Sequence, residues 1–122
     1  MTQSILTSIK KLLGITEEST DFDTDIIIFI NSVFPILLQL GVGPEEGFKI
    51  EDSNTTWLDY LGEKDLLKYA PVKTFIYLKV KLVFDPPLSN SVIESYNRTL
   101  SELEWRLNVM ADPIDVKEVT NE

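Results

Sequence analysis

Apolar residues recur along this chain with helical rather than strand-like spacing. Over residues 3–13, Ile5, Ile9, Leu12 and Leu13 share one face, and Lys10 and Lys11 sit in the last turn, where they complement the helix dipole. Gly14 then ends the segment. Residues 19–25 are Ser-Thr-Asp-Phe-Asp-Thr-Asp, whose hydroxyls and carboxylates suit the free amides of a helix start. A ladder follows at Ile26, Phe29, Ile30, Val33, Leu37 and Leu40, with Ile27, Ile28, Phe34, Ile36 and Leu38 covering the other faces. This second helix is expected to be central, to pack on the last helix, and to be kinked or interrupted at Pro35, which lacks an amide hydrogen.

Gly41-Val42-Gly43-Pro44 closes that helix and opens an excursion over 45–62 with three aromatic residues, Phe48, Trp57 and Tyr60, among turn formers. Alternation at Phe48-Lys49-Ile50-Glu51 and the β-prone Thr55-Thr56-Trp57-Leu58 admit a short β-hairpin in a long protruding central loop. Residues 77–82 also alternate, yet Phe75, Leu78 and Leu82 share a helical face, as do Ile76, Val80 and Val83. The run over 72–84 outlasts a strand of about 5–6 residues, so a helix is predicted, with Pro71 in its first turn or at a kink and Asp85-Pro86-Pro87 as its stop. The last helix opens near Ser89 to Ser91, where Ser91 and Glu94 have capping-box spacing, and runs to Met110. Ile93, Tyr96, Leu100, Leu103, Leu107 and Met110 alternate steps of 3 and 4, a seam for antiparallel packing or oligomer contact. The sum is an all-α fold: a small bundle of about four helices in one domain over 1–111, then an acidic, extended and flexible tail over 112–122.

Composition narrows the chemistry. At 122 residues, 43% hydrophobic and 25% charged, the chain can bury one core without staples. The absence of Cys and His removes thiol nucleophiles, disulfides, zinc clusters and histidine bases, and no cofactor is expected. A net charge of −9 opposes binding to a phosphate backbone, whose affinity comes from Lys and Arg displacing counterions. The amino end has its lysines after its apolar residues and no small-residue cleavage site, so no signal peptide is expected, and the Asn54 and Asn97 sequons are read as chance. Residues 26–42 are dense in apolar side chains, but Asn31, Ser32, Pro35 and Gln39 within them argue for a core helix over a membrane span.

The motifs that suggest chemistry are incomplete. Asp21-x-Asp23-x-Asp25 opens like a calcium loop, but Ile26 stands where the turn needs Gly and Ser32 where a bidentate Glu belongs, so helix capping is expected and no metal. Gly41-x-Gly43 follows a helix rather than a strand and lacks the Lys-Ser/Thr pair of a phosphate loop. Glu45, Glu46, Glu51, Asp52, Asp59, Glu63 and Asp65 offer carboxylate pairs for hydrolysis, but such loops are usually solvated surface. Trp57 either packs back on the domain or anchors a partner; Trp105 and Arg106 lie off the seam of the last helix, so one or both should face outward, with an interface favoured over a flanking core position.

Phe84-Asp85-Pro86-Pro87, a Ser-rich helix start, and Glu102-Leu103-Glu104-Trp105-Arg106-Leu107 resemble the phage head–tail connector family, the head-completion adaptors of long-tailed phages. The likeness runs from about Gly14 to Met110, with its acid-preceded Leu/Ile-rich helix, central loop, Lys-studded helix and Glu/Leu-rich final helix. The resemblance implies a non-enzymatic structural protein of the virion neck, assembled in the host cytoplasm. It would form a homo-oligomeric ring, typically a dodecamer, beneath the portal, extend the DNA channel and meet a neck, stopper or tail-completion protein. An acidic lining would let DNA slide without specific binding. Phe48, Trp57 and Tyr60 of the loop, Trp105 and Arg106, and Asp112, Pro113, Ile114 and Val116 of the tail are then the interface candidates. Two other classes stay open: a cytosolic acidic protein that mimics nucleic-acid charge and occupies a basic partner, and a small carboxylate hydrolase.

Overall fold

The computed structural model describes residues 2–111, so Asp112, Pro113, Ile114 and Val116, and the tail they belong to, lie outside the described residues. Helices α1 (Ile5–Leu12), α2 (Asp23–Gln39), α3 (Trp57–Leu61), α4 (Tyr69–Phe84) and α5 (Asn90–Met110) form the bundle, with a 3-10 turn, Leu66–Lys68, leading into α4. Ser4 caps α1 by accepting from the Thr7 amide at 3.1 Å, and Gly14 takes up φ +82° just beyond its end, a left-handed conformation that favours glycine.

Helix α4 is the centre of the bundle. It packs on α2, on α1 and on α5, and its Val72, Phe75, Ile76 and Val80 have no exposed surface. This corrects the expectation that α2 would be central and would receive α5. The seam of α5 meets α4 instead, burying Leu100 and Leu107 and half-burying Ile93, Tyr96, Leu103 and Met110. The apolar surface of α2 outruns what its neighbours cover, so Ile28 stays exposed while Ile26, Ile30, Val33, Phe34 and Leu37 are buried. Pro35 does not interrupt α2. It lies on an exposed position, and the buried side chains on either side of it hold the helix through the one missing amide.

Two caps also differ from expectation. The acidic run before α2 supplies no side-chain cap; the N-cap is Phe22, and the segment is pinned by Lys10 instead. That lysine, buried in α1, pairs with Asp23 Oδ1 at 2.8 Å and donates to the Ser19 and Glu17 carbonyls at 2.6 and 3.2 Å. Ser91 and Glu94 do not form a capping box either: Ser89 is the N-cap of α5, and its Oγ meets Ser91 Oγ at 2.8 Å. The capping box of this fold is at α3, where Thr56 Oγ1 accepts from the Asp59 amide at 3.1 Å and Asp59 Oδ2 accepts from the Thr56 amide at 2.9 Å.

The hairpin is absent among the described residues. The excursion runs instead into α3, tied to the amino end by an isolated antiparallel bridge, Ser4 to Thr56, with Ile5 N donating to Thr55 O at 3.0 Å and Trp57 N to Gln3 O at 3.1 Å. Asn31 of α2 clamps the loop by donating to Ile50 O at 2.9 Å and accepting from Ile50 N at 2.8 Å. Ile50 is thereby buried, and the loop is exposed chiefly at Glu45 and Glu46 and over Glu51 to Asn54.

Candidate interaction surface

The aromatic residues of the excursion turn inward. Trp57 is wholly buried; its Nε1 donates to Ser8 Oγ at 3.0 Å, and its ring stands edge-on to Tyr69 with centroids 5.6 Å apart. Tyr60 is buried against Phe34 and Phe48 at centroid separations of 4.7 and 4.8 Å. Of the two readings open for Trp57, packing back on the domain is the one this fold adopts, and Tyr60 joins it. Phe48, half-buried, closes the same aromatic cluster.

A buried polar knot supports this cluster. Asp65 Oδ1 pairs with Lys68 Nζ at 3.0 Å and Oδ2 accepts from the Gly43 amide at 3.2 Å, while Lys68 also donates to Gly41 O at 3.3 Å. The pair thus fastens the turn after α2 to the start of α4. Gly43 has φ +92°, and a β-carbon there would come within 2.7 Å of the Tyr60 ring, so this turn requires glycine. The Tyr60 hydroxyl has no hydrogen-bond partner among the described residues, and burial, with the Asp65 charge second, raises its pKa well above the ordinary phenol value. Asp65 is therefore committed to the fold, and the other carboxylates of the excursion stand on exposed positions, Glu45, Glu46 and Asp59 around one open concavity of about 430 Å³ that Lys64 also borders. No cluster of metal-ligating side chains occurs among the described residues, and Asp23 of the calcium-like run is paired with Lys10.

The Phe84-Asp85-Pro86-Pro87 element works as a corner. Phe84 stands edge-on to Phe22 at 5.4 Å and to Phe29 at 6.5 Å, which fixes the end of α4 against the start of α2. Asp85 accepts from Lys81 Nζ at 2.8 Å, a bond that raises the lysine pKa. On either side of this corner Val83 and Leu88 project into solvent.

Among the described residues, nothing packs on the outward side of α5. Trp105 is 67% exposed and Val109, one turn on, 53%, both opposite the Leu100 and Leu107 seam. Arg106, which pairs with Glu102 at 2.6 Å, borders a groove of about 430 Å³ between α5 and the start of α4, lined by Leu67, Pro71, Leu103 and Met110. Leu67, 88% exposed, stands at its lip. The expected pair Trp105 and Arg106 is exposed on one helix, Arg106 at the groove and Trp105 outside its lining, both separated from the excursion aromatics. Leu67 was not singled out from the sequence; the signal was the Leu66-Leu67 doublet, since adjacent leucines in a short turn cannot both face one core. An exposed tryptophan on one face of α5, and an apolar groove bordered by an arginine on the seam side of the same helix, are features of protein-binding surfaces.

A protein-family model described as phage connector protein matches residues 5–113. No curated protein and no solved structure matches the chain.

Proposed function

The chain belongs to the phage connector protein family, and from that premise we propose that copies of it assemble as a ring beneath the portal, typically twelve in such adaptors, extending the channel toward the neck or tail-completion protein. As a family member it is a head–tail connector adaptor, a structural component of the phage particle with an all-helical fold. The observation that carries the ring reading is the α5 surface. A lone 122-residue domain gains nothing from holding Trp105 and Val109 in water, whereas a subunit interface or a portal contact covers them. Catalysis has no part in this reading. The net charge of −9 suits a channel through which DNA passes without being held.

Sizing the purified chain alone and with portal rings, followed by electron microscopy of the complex, tests the proposal. The expected result is a closed ring seated on one end of the portal, with Trp105→Ala reducing its yield. A chain that stays monomeric at high concentration and elutes apart from the portal would overturn it.

A further inference from the structure

A second concavity, also about 430 Å³, lies between α1 and α4 and differs in chemistry from the α5 groove. Its lining includes Ser4, Thr7 and Ser8 with Lys11 and Lys73, and Leu12 is at its edge. A cavity of about 290 Å³ continues past Thr7 and Lys11 to Ile15, Thr16 and the exposed carboxylate of Glu17, so the cationic part of the lining is confined to the Lys11 and Lys73 end. Lys10, Lys49, Lys68, Lys81 and Arg106 pair with Asp23, Glu51, Asp65, Asp85 and Glu102, and Lys64, Lys79 and Arg98, which have no such partner among the described residues, lie outside this lining. Lys11 and Lys73 make no such pair among the described residues; Lys73 lies 5.6 Å over the Tyr69 ring. Ser4 Oγ uses an acceptor position on the Thr7 amide, which leaves its proton for a ligand. Two ammonium groups lining one concavity repel each other until an anion enters. The apolar rim of Leu12 and Ile15 selects an anion with apolar neighbours, which describes an acidic peptide better than a bare phosphate chain.

Such a peptide is encoded in the same chain. Residues 112–122, outside the described part, carry Asp112, Asp115, Glu118 and Glu122 interleaved with Ile114, Val116 and Val119. We propose that the Lys11/Lys73 cavity receives the acidic C-terminal segment of a neighbouring copy; this rests on the ring reading above. Copies that each carry −9 repel at every junction, and an arm delivered to the next subunit's lysines offsets that repulsion where it arises. An arm returned to its own subunit would leave it unrelieved.

Reciprocal charge exchange tests the pairing in the full chain. Lys11→Glu with Lys73→Glu, and separately Asp115→Lys with Glu118→Lys, should each raise the concentration needed for ring formation about tenfold or more in sedimentation velocity. An equimolar mixture of the two should assemble again, because each cavity then meets a complementary arm. Recovery only when both exchanges share one chain would mean docking within a subunit, and would overturn the proposal. Assembly of both variants at wild-type concentration would remove the site and leave the ring reading standing; a wild-type chain that forms no ring with the portal removes both. The chain has no cysteine, so Thr7→Cys in one chain and Val116→Cys in another report directly: an interchain disulfide within rings is expected, and rings lacking it count against the site. Anisotropy with a labelled short duplex is the remaining arm. A loss of DNA binding in the lysine variant, with assembly unchanged, would assign the cavity to a phosphate backbone and overturn the peptide reading.

Discussion

The two sides of α4 are built on different terms. Toward α1, α2 and α3 it faces a deep core in which Trp57, Phe75, Ile9, Ile26 and Ile76 are wholly buried, reinforced by the Lys10 and Asp65 ion pairs and the Asn31 clamp. Toward α5 it meets a narrow seam, and only Leu100 and Leu107 of that helix's 21 residues are buried. The first side spends its aromatic residues on stability; the second displays its tryptophan. Under the proposed function, this division would let the deep core hold a subunit's shape while the α5 side meets its neighbours. It also corrects the intuition that an aromatic-rich loop marks the contact surface: here the loop's aromatics complete the core, and the exposed one stands on a regular helix.

The largest expected effect is at the deep side. Trp57→Ala should cost about 3–5 kcal/mol in urea unfolding, because it empties a buried site and leaves the Ser8 hydroxyl without its donor. A loss below about 1 kcal/mol, the ordinary scale of a partly exposed site, would erase the contrast between the two sides. Next, the seam should be sharply graded: Leu107→Ala about 3 kcal/mol, since it is wholly buried, and half-buried Leu103→Ala about 1 kcal/mol. Equal costs would mean that α5 is embedded more broadly than this structure shows.

Tyr60→Phe sharpens the comparison from within the core. Removing a buried hydroxyl that has no partner should leave stability unchanged or raise it by about 1 kcal/mol at neutral pH. The folded phenol titrates above the unfolded one, raised first by burial and then by Asp65, so above pH 10.0 the unfolded state binds fewer protons and wild-type stability falls. Denaturation at pH 8 and near pH 11 should show part of that fall missing in the Phe variant; parallel losses in the two proteins would contradict it. The smallest effect on the monomer is expected at Trp105→Ala, within about 0.5 kcal/mol of wild type, although ring yield drops. A large loss of monomer stability there would make Trp105 a packing residue.

The helical class was written in local order. Periodicity of about 3.6 at Ile5 to Leu12, at Ile26 to Leu40 and along the α5 seam, with Gly14 and Asp85-Pro86-Pro87 as stops, depends only on near neighbours and so can be read without the fold. The same seam indicated that one or both of Trp105 and Arg106 face outward, and Trp105 does. What tertiary structure alone decided was which element meets which. The strong apolarity of α2 marks it for burial but does not say on whom, and α4 took the centre because it can meet α1, α2 and α5 together. Trp57 could have faced either way until Ser8, 49 positions earlier, supplied a buried acceptor for its indole. Lys10 looked like a dipole partner and became the anchor of the α1–α2 connection, and Asn31 became the clamp on Ile50. Each outcome turns on satisfying a buried polar atom across a long stretch of chain, and hydropathy spacing carries no record of such distant partners.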